Sequence, residues 1–294
     1  MSARSVYTPG LYYGLTFLGS YAIWLVAYYL QAQGAPSAPL VGMSGMLVPF
    51  VISLIMIVRS GNPALRKDFV NRLVNLGLIQ PRMLPAFFLI PLTIVVAIFL
   101  SLPFGGSPEQ LRLAEGFSFS TGAVPVLLFL VLAACFEELG WRGYGFESLQ
   151  SRYTYLTASL IFGLLWSIWH IPLIVAEGQY ANELWQQNIW FALNYFVAFI
   201  PLGVIVSWIC IKSGKSILAA VLVHFLLNIA QETFAVAQTT KCIQTLVLVV
   251  VAIGIVAYDQ ELFRSKAHLD LGEGHALSPA AAQEKGATSD ASTP

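Results

Sequence analysis

Hydrophobic positions in this chain form long, nearly unbroken runs, not the alternation of a half-buried strand or the narrow stripe of a surface helix. Crossing a bilayer takes about 20 mostly apolar residues in a helix. Eight stretches approach that length: 11–31, 40–59, 83–103, 122–145, 157–176, 188–211, 216–237 and 243–258. The pattern predicts an all-α polytopic membrane protein, a bundle of about eight transmembrane helices. Tyr12, Tyr13, Tyr28, Tyr29 and Trp190 sit at run ends, where aromatic rings favour the headgroup layer. The first run has no small-residue cleavage pattern after it and is expected to remain as a helix.

The remaining stretches divide the chain. Residues 1–121 are expected to hold three transmembrane helices and a cytoplasmic segment, 60–82. Within it Leu65, Phe69, Val70, Leu73 and Leu76 recur at helical spacing among Arg and Lys, as in a helix lying on the interface. Residues 122–258 carry the other five helices and all the polar motifs. Residues 259–294 are expected to be a disordered cytoplasmic tail, rich in Ala, Gly, Ser and Pro from His268 onward. Its two histidines, His268 and His275, are not expected to be ligands.

Composition agrees with a bilayer solvent. The chain is 57% hydrophobic and 10% charged, against about 25% charged in soluble domains. Fifteen Lys and Arg balance fifteen Asp and Glu, so no basic surplus exists for a nucleic-acid partner. Cys135, Cys210 and Cys242 form no CxxC pair. Basic residues alternate between loops: Arg59, Arg66, Lys67, Arg72 and Arg82 in one, then Arg142 and Arg152, Lys212 and Lys215, and Arg264 and Lys266. The intervening loops hold only Arg112 and Lys241. The Lys and Arg excess marks the cytoplasm, which places both termini there and the polar site toward that side.

Ionisable groups within a span cost at least about 2.5–3.5 kcal/mol each, so those present need a reason. Run 122–145 contains Glu137-Glu138-Leu139-Gly140-Trp141-Arg142, run 157–176 contains Trp166-Ser167-Ile168-Trp169-His170, and run 216–237 contains His224-Phe225-Leu226-Leu227-Asn228. Glu137 and Glu138 point about 100° apart on a helix. Glu138 and Arg142 are four residues apart and can neutralise each other, which leaves Glu137 to face the bundle interior. His224 and Asn228, also four apart, share one face. His170 precedes Ile171-Pro172, where the missing proline N–H loosens the helix. Singly, each group reads as well as interhelical polar glue. A free carboxylate and two histidines on three helices together suit a water-filled cavity.

These three stretches resemble the motifs of the CAAX protease and bacteriocin-processing (Abi, or CPBP) family of intramembrane proteases. Those motifs are Glu-Glu-x-x-x-Arg, Phe-x-x-x-His and His-x-x-x-Asn or Asp, in this order. The one departure is Trp166 where the pattern has Phe. The resemblance covers about 125–235 and implies a bundle of about eight helices. It also implies Glu137 as the base, with His170, His224 and Asn228 holding the water and the oxyanion. Glu138, Arg142 and Trp166 would support them. Members have been described both as metalloproteases and as metal-free glutamate proteases. Zinc held by Glu137, His170 and His224 is therefore the alternative; with no His-Glu-x-x-His cluster, the expectation is that no cofactor is required. Implied substrates are peptides, transmembrane proteins, or prenylated proteins ending in Cys-a-a-X, whose last three residues are removed in eukaryotic relatives.

Rival readings are weaker. Gly42-Met43-Ser44-Gly45 imitates a rhomboid serine motif, but lies at the far end of its run from His224 and suits small-residue packing better. Tyr258-Asp259 matches half of a presenilin-type aspartyl pattern and lacks its Gly-x-Gly-Asp partner. A non-catalytic membrane scaffold or bacteriocin-immunity protein of the same fold is the main alternative. A proton-coupled transporter would show an internal repeat, and none is visible.

Overall fold

The computed structural model describes residues 6–114, 120–121 and 124–266. The chain from His268 onward, expected to be disordered, lies outside the described residues. Each hydrophobic run is a helix. Six are long and apolar enough to cross a membrane: α1 (Pro9–Ala32), α2 (Ala38–Arg59, with a 3-10 turn at Gly45–Leu47), α4 (Pro81–Phe104), α7 (Tyr155–Val175), α9 (Ile189–Lys212) and α11 (Gln238–Tyr258). Two more complete the bundle: α10 (Ile217–Thr233), and α5 (Val126–Gly140), which continues through a π-turn at Trp141–Gly145 into α6 (Phe146–Gln150). Short helices α3 (Pro63–Val74), α8 (Tyr180–Gln187) and α12 (Gln260–Arg264) link or end them. The fold is that of a polytopic helical membrane protein, its one sheet among the described residues being two two-residue strands, Ser120–Thr121 and Val124–Pro125.

Boundaries shift where polar residues are paired. The last run begins at Gln238, five residues before the expected start, because Lys241 and Gln244 turn inward to bond Tyr180, Gln231 and Thr93. The run expected to end at residue 145 continues to Gln150, with Glu147 4% exposed. Arg142, counted above with the loop charges, is 1% exposed inside the π-turn. Residues 260–264, expected in the tail, form α12, and its Phe263 is 1% exposed. Around it the chain is tied down by Tyr155 N–H donating to Ser265 O at 3.1 Å.

Helix α3 lies within the segment expected to rest on the interface. Asn62 caps it by accepting from the N–H groups of Ala64 and Leu65. Leu65, Phe69 and Arg72 are buried against the bundle while Val70 and Val74 are exposed.

Close packing comes from small residues, as is usual between membrane helices. A Cβ on Gly163 would lie 2.7 Å from Phe199 O, and one on Gly203 would lie 2.6 Å from Gly163 Cα. Helices α7 and α9 therefore cross backbone to backbone. Gly140 likewise lets α5 press on α2, where a Cβ would lie 2.8 Å from Phe50 N. Ser44 Oγ is spent on Val41 O at 2.7 Å, and Gly45 packs against the Trp24 ring. That stretch is a packing site.

The two ends of the bundle differ. One gathers residues 6–8, α3, the π-turn, the α9–α10 loop and α12, held by contacts such as Thr8 N to Tyr144 Oη, 3.0 Å. The other gathers the α1–α2 turn and residues 171–188, joined by Gln31 Nε2 to Glu177 O, 3.0 Å. Both described chain ends lie at the first.

Candidate active site

Glu137, Trp166, His170, His224 and Asn228 line one cavity of about 550 Å3. Three helices supply them, α5, α7 and α10, and the crossing at Gly163 and Gly203 presses α7 against Phe199. There the His170 ring stacks on Phe199 with centroids 4.5 Å apart.

The adjacent carboxylates have separate partners. Glu137 Oε2 accepts from Trp166 Nε1 at 2.8 Å and from Trp141 Nε1 at 3.3 Å. Glu138, fully buried, accepts from His224 Nδ1 at 3.0 Å and lies 3.4 Å from Arg142 Nε. Glu138 thus orients His224, 86 positions away, as well as facing Arg142. The Arg142 guanidinium makes no hydrogen bond to a described residue; it lies over the Phe162 ring, 4.1 Å from its centroid, and near Phe146 at 5.2 Å. Cation–π attraction supplements the ion pair there.

In both histidines the contacts place a proton on Nδ1. His170 Nδ1 lies 2.8 Å from Trp166 O, and a carbonyl can only accept, so Nδ1 carries the proton. The same logic puts a proton on His224 Nδ1 beside the Glu138 carboxylate. Each ring keeps Nε2 for the cavity.

The expected cluster is thus brought to one cavity, with Asn228 half-buried in its wall. Sequence reasoning missed Trp141, and it missed what Trp166 adds: an indole N–H to Glu137 that phenylalanine could not give. It missed Arg72 too. That side chain, 2% exposed, donates to Arg142 O at 2.8 Å and Gly143 O at 3.1 Å, carbonyls of the π-turn. Arg72 also bonds Asp68 at 2.7 Å and lies 3.9 Å from Glu147, which pairs with Lys215 at 2.9 Å. Burial alone would raise the Glu147 carboxyl, yet Lys215 and Arg72 outweigh it and hold the group below its ordinary value. For Lys215 burial acts downward, and Glu147 overcomes it to hold the ammonium above its ordinary value. Lys215 reaches Glu147 from a left-handed backbone, φ 62°, a conformation that costs a non-glycine residue about 1–2 kcal/mol.

The cavity also reaches Tyr180, Glu232 and Lys241. It therefore extends toward the end of the bundle that gathers residues 171–188, away from the Arg-rich segment 59–82 and from the end that holds residues 6–8 and α12.

As for zinc, among the described residues no three His, Cys, Asp or Glu side chains come close enough to share one ion. Glu137, His170 and His224 as arranged do not fit a three-ligand zinc site.

The helical bundle thus places a buried carboxylate, two buried histidines and a half-buried asparagine around one internal cavity. Residues 119–230 match the family model described as type II CAAX prenyl endopeptidase, Rce1-like. The chain is also 48% identical to CAAX prenyl protease 2 of Methanococcus maripaludis over 263 residues, 88% of this chain and 97% of that protein. The chain belongs to the Rce1-like CAAX prenyl protease family.

Proposed function

We propose that this protein is an intramembrane endopeptidase that cleaves prenylated Cys-a-a-X proteins three residues from their C terminus, with a water activated by Glu137. The observation that carries this reading is Glu137 itself, held by two indole N–H groups in the same cavity as His170, His224 and Asn228.

The chemistry follows from the donors and acceptors. His170 Nε2, its other nitrogen bonded to Trp166 O, accepts a hydrogen bond from the water. Glu137 takes the water's other proton as its oxygen attacks the scissile carbonyl carbon. The carbonyl π electrons move to oxygen, and Asn228 Nδ2 and an imidazolium at His224 donate to that oxyanion. Glu138 keeps the His224 ring in register. When the C–N bond breaks, Glu137 returns its proton to the leaving nitrogen. The water's remaining proton, hydrogen-bonded to His170 Nε2, passes on to the amine, so a carboxylate and an ammonium result and Glu137 is again ionised. No metal takes part in this sequence.

The substrate's protein body is too large to enter the bilayer, so the mouth faces the compartment that holds it. For a cytoplasmic prenylated protein, the Lys241 end is cytoplasmic. This reading reverses the orientation that the loop-charge count gives; of those charges Arg72, Arg142, Lys212 and Lys215 lie within ion-pair distance of carboxylates of the bundle.

The test is cleavage of a quenched prenylated CAAX peptide by the purified full-length protein in detergent. Wild type should cleave it with or without a zinc chelator, while Glu137→Gln should lose about 100-fold or more in kcat. His224→Ala and Asn228→Ala should fall by lesser factors, with thermal unfolding confirming that each variant is folded. Full activity in Glu137→Gln would sink the mechanism. Loss on chelation that zinc restores would move these residues to a metal site.

A further inference from the structure

Lys241, in the first turn of α11, is the only Lys or Arg among the described residues lining the cavity. Its ammonium donates to Tyr180 Oη at 2.9 Å, lies 3.5 Å from Gln231 O, and sits 4.7 Å from the Tyr180 ring centroid. The Tyr180 hydroxyl in turn donates to Gln238 Oε1 at 3.0 Å, which turns a lone pair toward the lysine. Both oxygens that Lys241 meets are neutral. Glu183 and Glu232 line the same cavity, yet among the described residues Lys241 forms no ion pair. A third N–H remains for an anion.

Position gives the anion a meaning. Gln231 stands seven residues beyond His224 on α10, two turns or about 10 Å along the helix axis. An extended tripeptide spans about 10 Å. We propose that Lys241 binds the substrate's C-terminal carboxylate and, with His224, acts as a ruler that sets the cut three residues from the chain end. The inference rests on the peptidase reading and gives that site its specificity: a free α-carboxylate at a fixed distance from the scissile bond. Tyr180 and Gln238 position the ammonium.

Two prenylated peptides test this, identical except that one ends in a free carboxylate and the other in a carboxamide. Wild-type protein should prefer the acid by about 10- to 100-fold in kcat/KM, the range for a hydrogen bond to a charged group. In Lys241→Met the ratio should collapse toward one; in Lys241→Arg, which restores a cation, a preference should persist. The wild-type ratio needs no variant to fold, and each variant's ratio is internal to one preparation. Wild type that cleaves both peptides equally overturns the inference and leaves the peptidase standing, as does a preference that survives in Lys241→Met. Wild type that cleaves neither peptide, nor the protein-length prenylated substrate, removes the peptidase reading and this inference with it.

Discussion

Replacing Arg72 by Met removes the side chain that hydrogen-bonds α3 to the π-turn. Two donors to Arg142 O and Gly143 O disappear, at 2.8 and 3.1 Å, and Glu147 loses one of its two cationic neighbours. Arg72 is 2% exposed and Glu147 4%, so neither partner regains water without movement. Breaking a buried charged contact of this kind costs about 3–5 kcal/mol. For a chain of this size that is on the order of 10 °C in Tm. Activity should fall further than stability explains, because the π-turn begins with Trp141, whose indole holds Glu137 at 3.3 Å. A small displacement of a catalytic group costs up to about 100-fold. The assay is thermal unfolding of the detergent-solubilised protein, read beside kcat on the prenylated peptide well below the variant's Tm. Arg72→Lys should recover only part of the loss, since an ammonium lacks the planar fork that spans both carbonyls. An Arg72→Met protein with wild-type Tm and wild-type kcat refutes the reasoning.

Other consequences are separable. Trp166→Phe, which installs the family's own residue, should lower kcat by about 10-fold or more through loss of the 2.8 Å bond to Glu137; unchanged kcat would mean that Trp141 suffices alone. The Glu147–Lys215 pair makes stability depend on pH at both ends of the scale. Glu147 is held low, so its contribution is present above the ordinary Glu value of about 4.3 and is lost as pH falls through its depressed pKa. Lys215 is held high, so its contribution is full below about 10.4 and is lost as pH rises through its raised pKa. Unfolding scans from pH 3 to 11 (roughly, spanning both values) should show that Glu147→Gln flattens the acid limb. In a cysteine-free background, Gln187→Cys should react with an impermeant thiol reagent from the cytoplasmic face and Lys67→Cys from the other; the reverse pattern would restore the loop-charge orientation.

Legibility from sequence tracked the range of each interaction. All eight hydrophobic runs became helices, because insertion into a bilayer is decided residue by residue along one segment. Pairs four apart were visible for the same reason, as with Glu138 and Arg142. Contacts between segments were not. Nothing in the spacing says that Glu138 meets His224, or that the Trp166 indole donates to Glu137. Arg72 counted as a loop charge until its carbonyl partners were seen, and Lys241 hid in a polar stretch that hydropathy assigned to a loop. Depth along one helix, likewise, does not say which end of a cavity is plugged. Residues 141–150 are all buried, so the charge-rich end is closed.

The turn at Trp141–Gly145 holds a hydrogen-bonding pattern one residue wider than its flanking helices. That extra residue shifts the phase of α6 by about 100° relative to α5. Upstream, Glu137 and Glu138 face α7 and α10; downstream, Glu147 faces Lys215. Excising Gly143 would restore an unbroken α-helix and rotate one set of carboxylates out of register with its partners. Length at this position is therefore as constrained as chemistry, and single-residue deletions should abolish activity here while deletion of the exposed Pro36 in the α1–α2 turn is tolerated. A deletion scan read by in-cell cleavage would show the frame of the helix itself to be part of the catalytic apparatus.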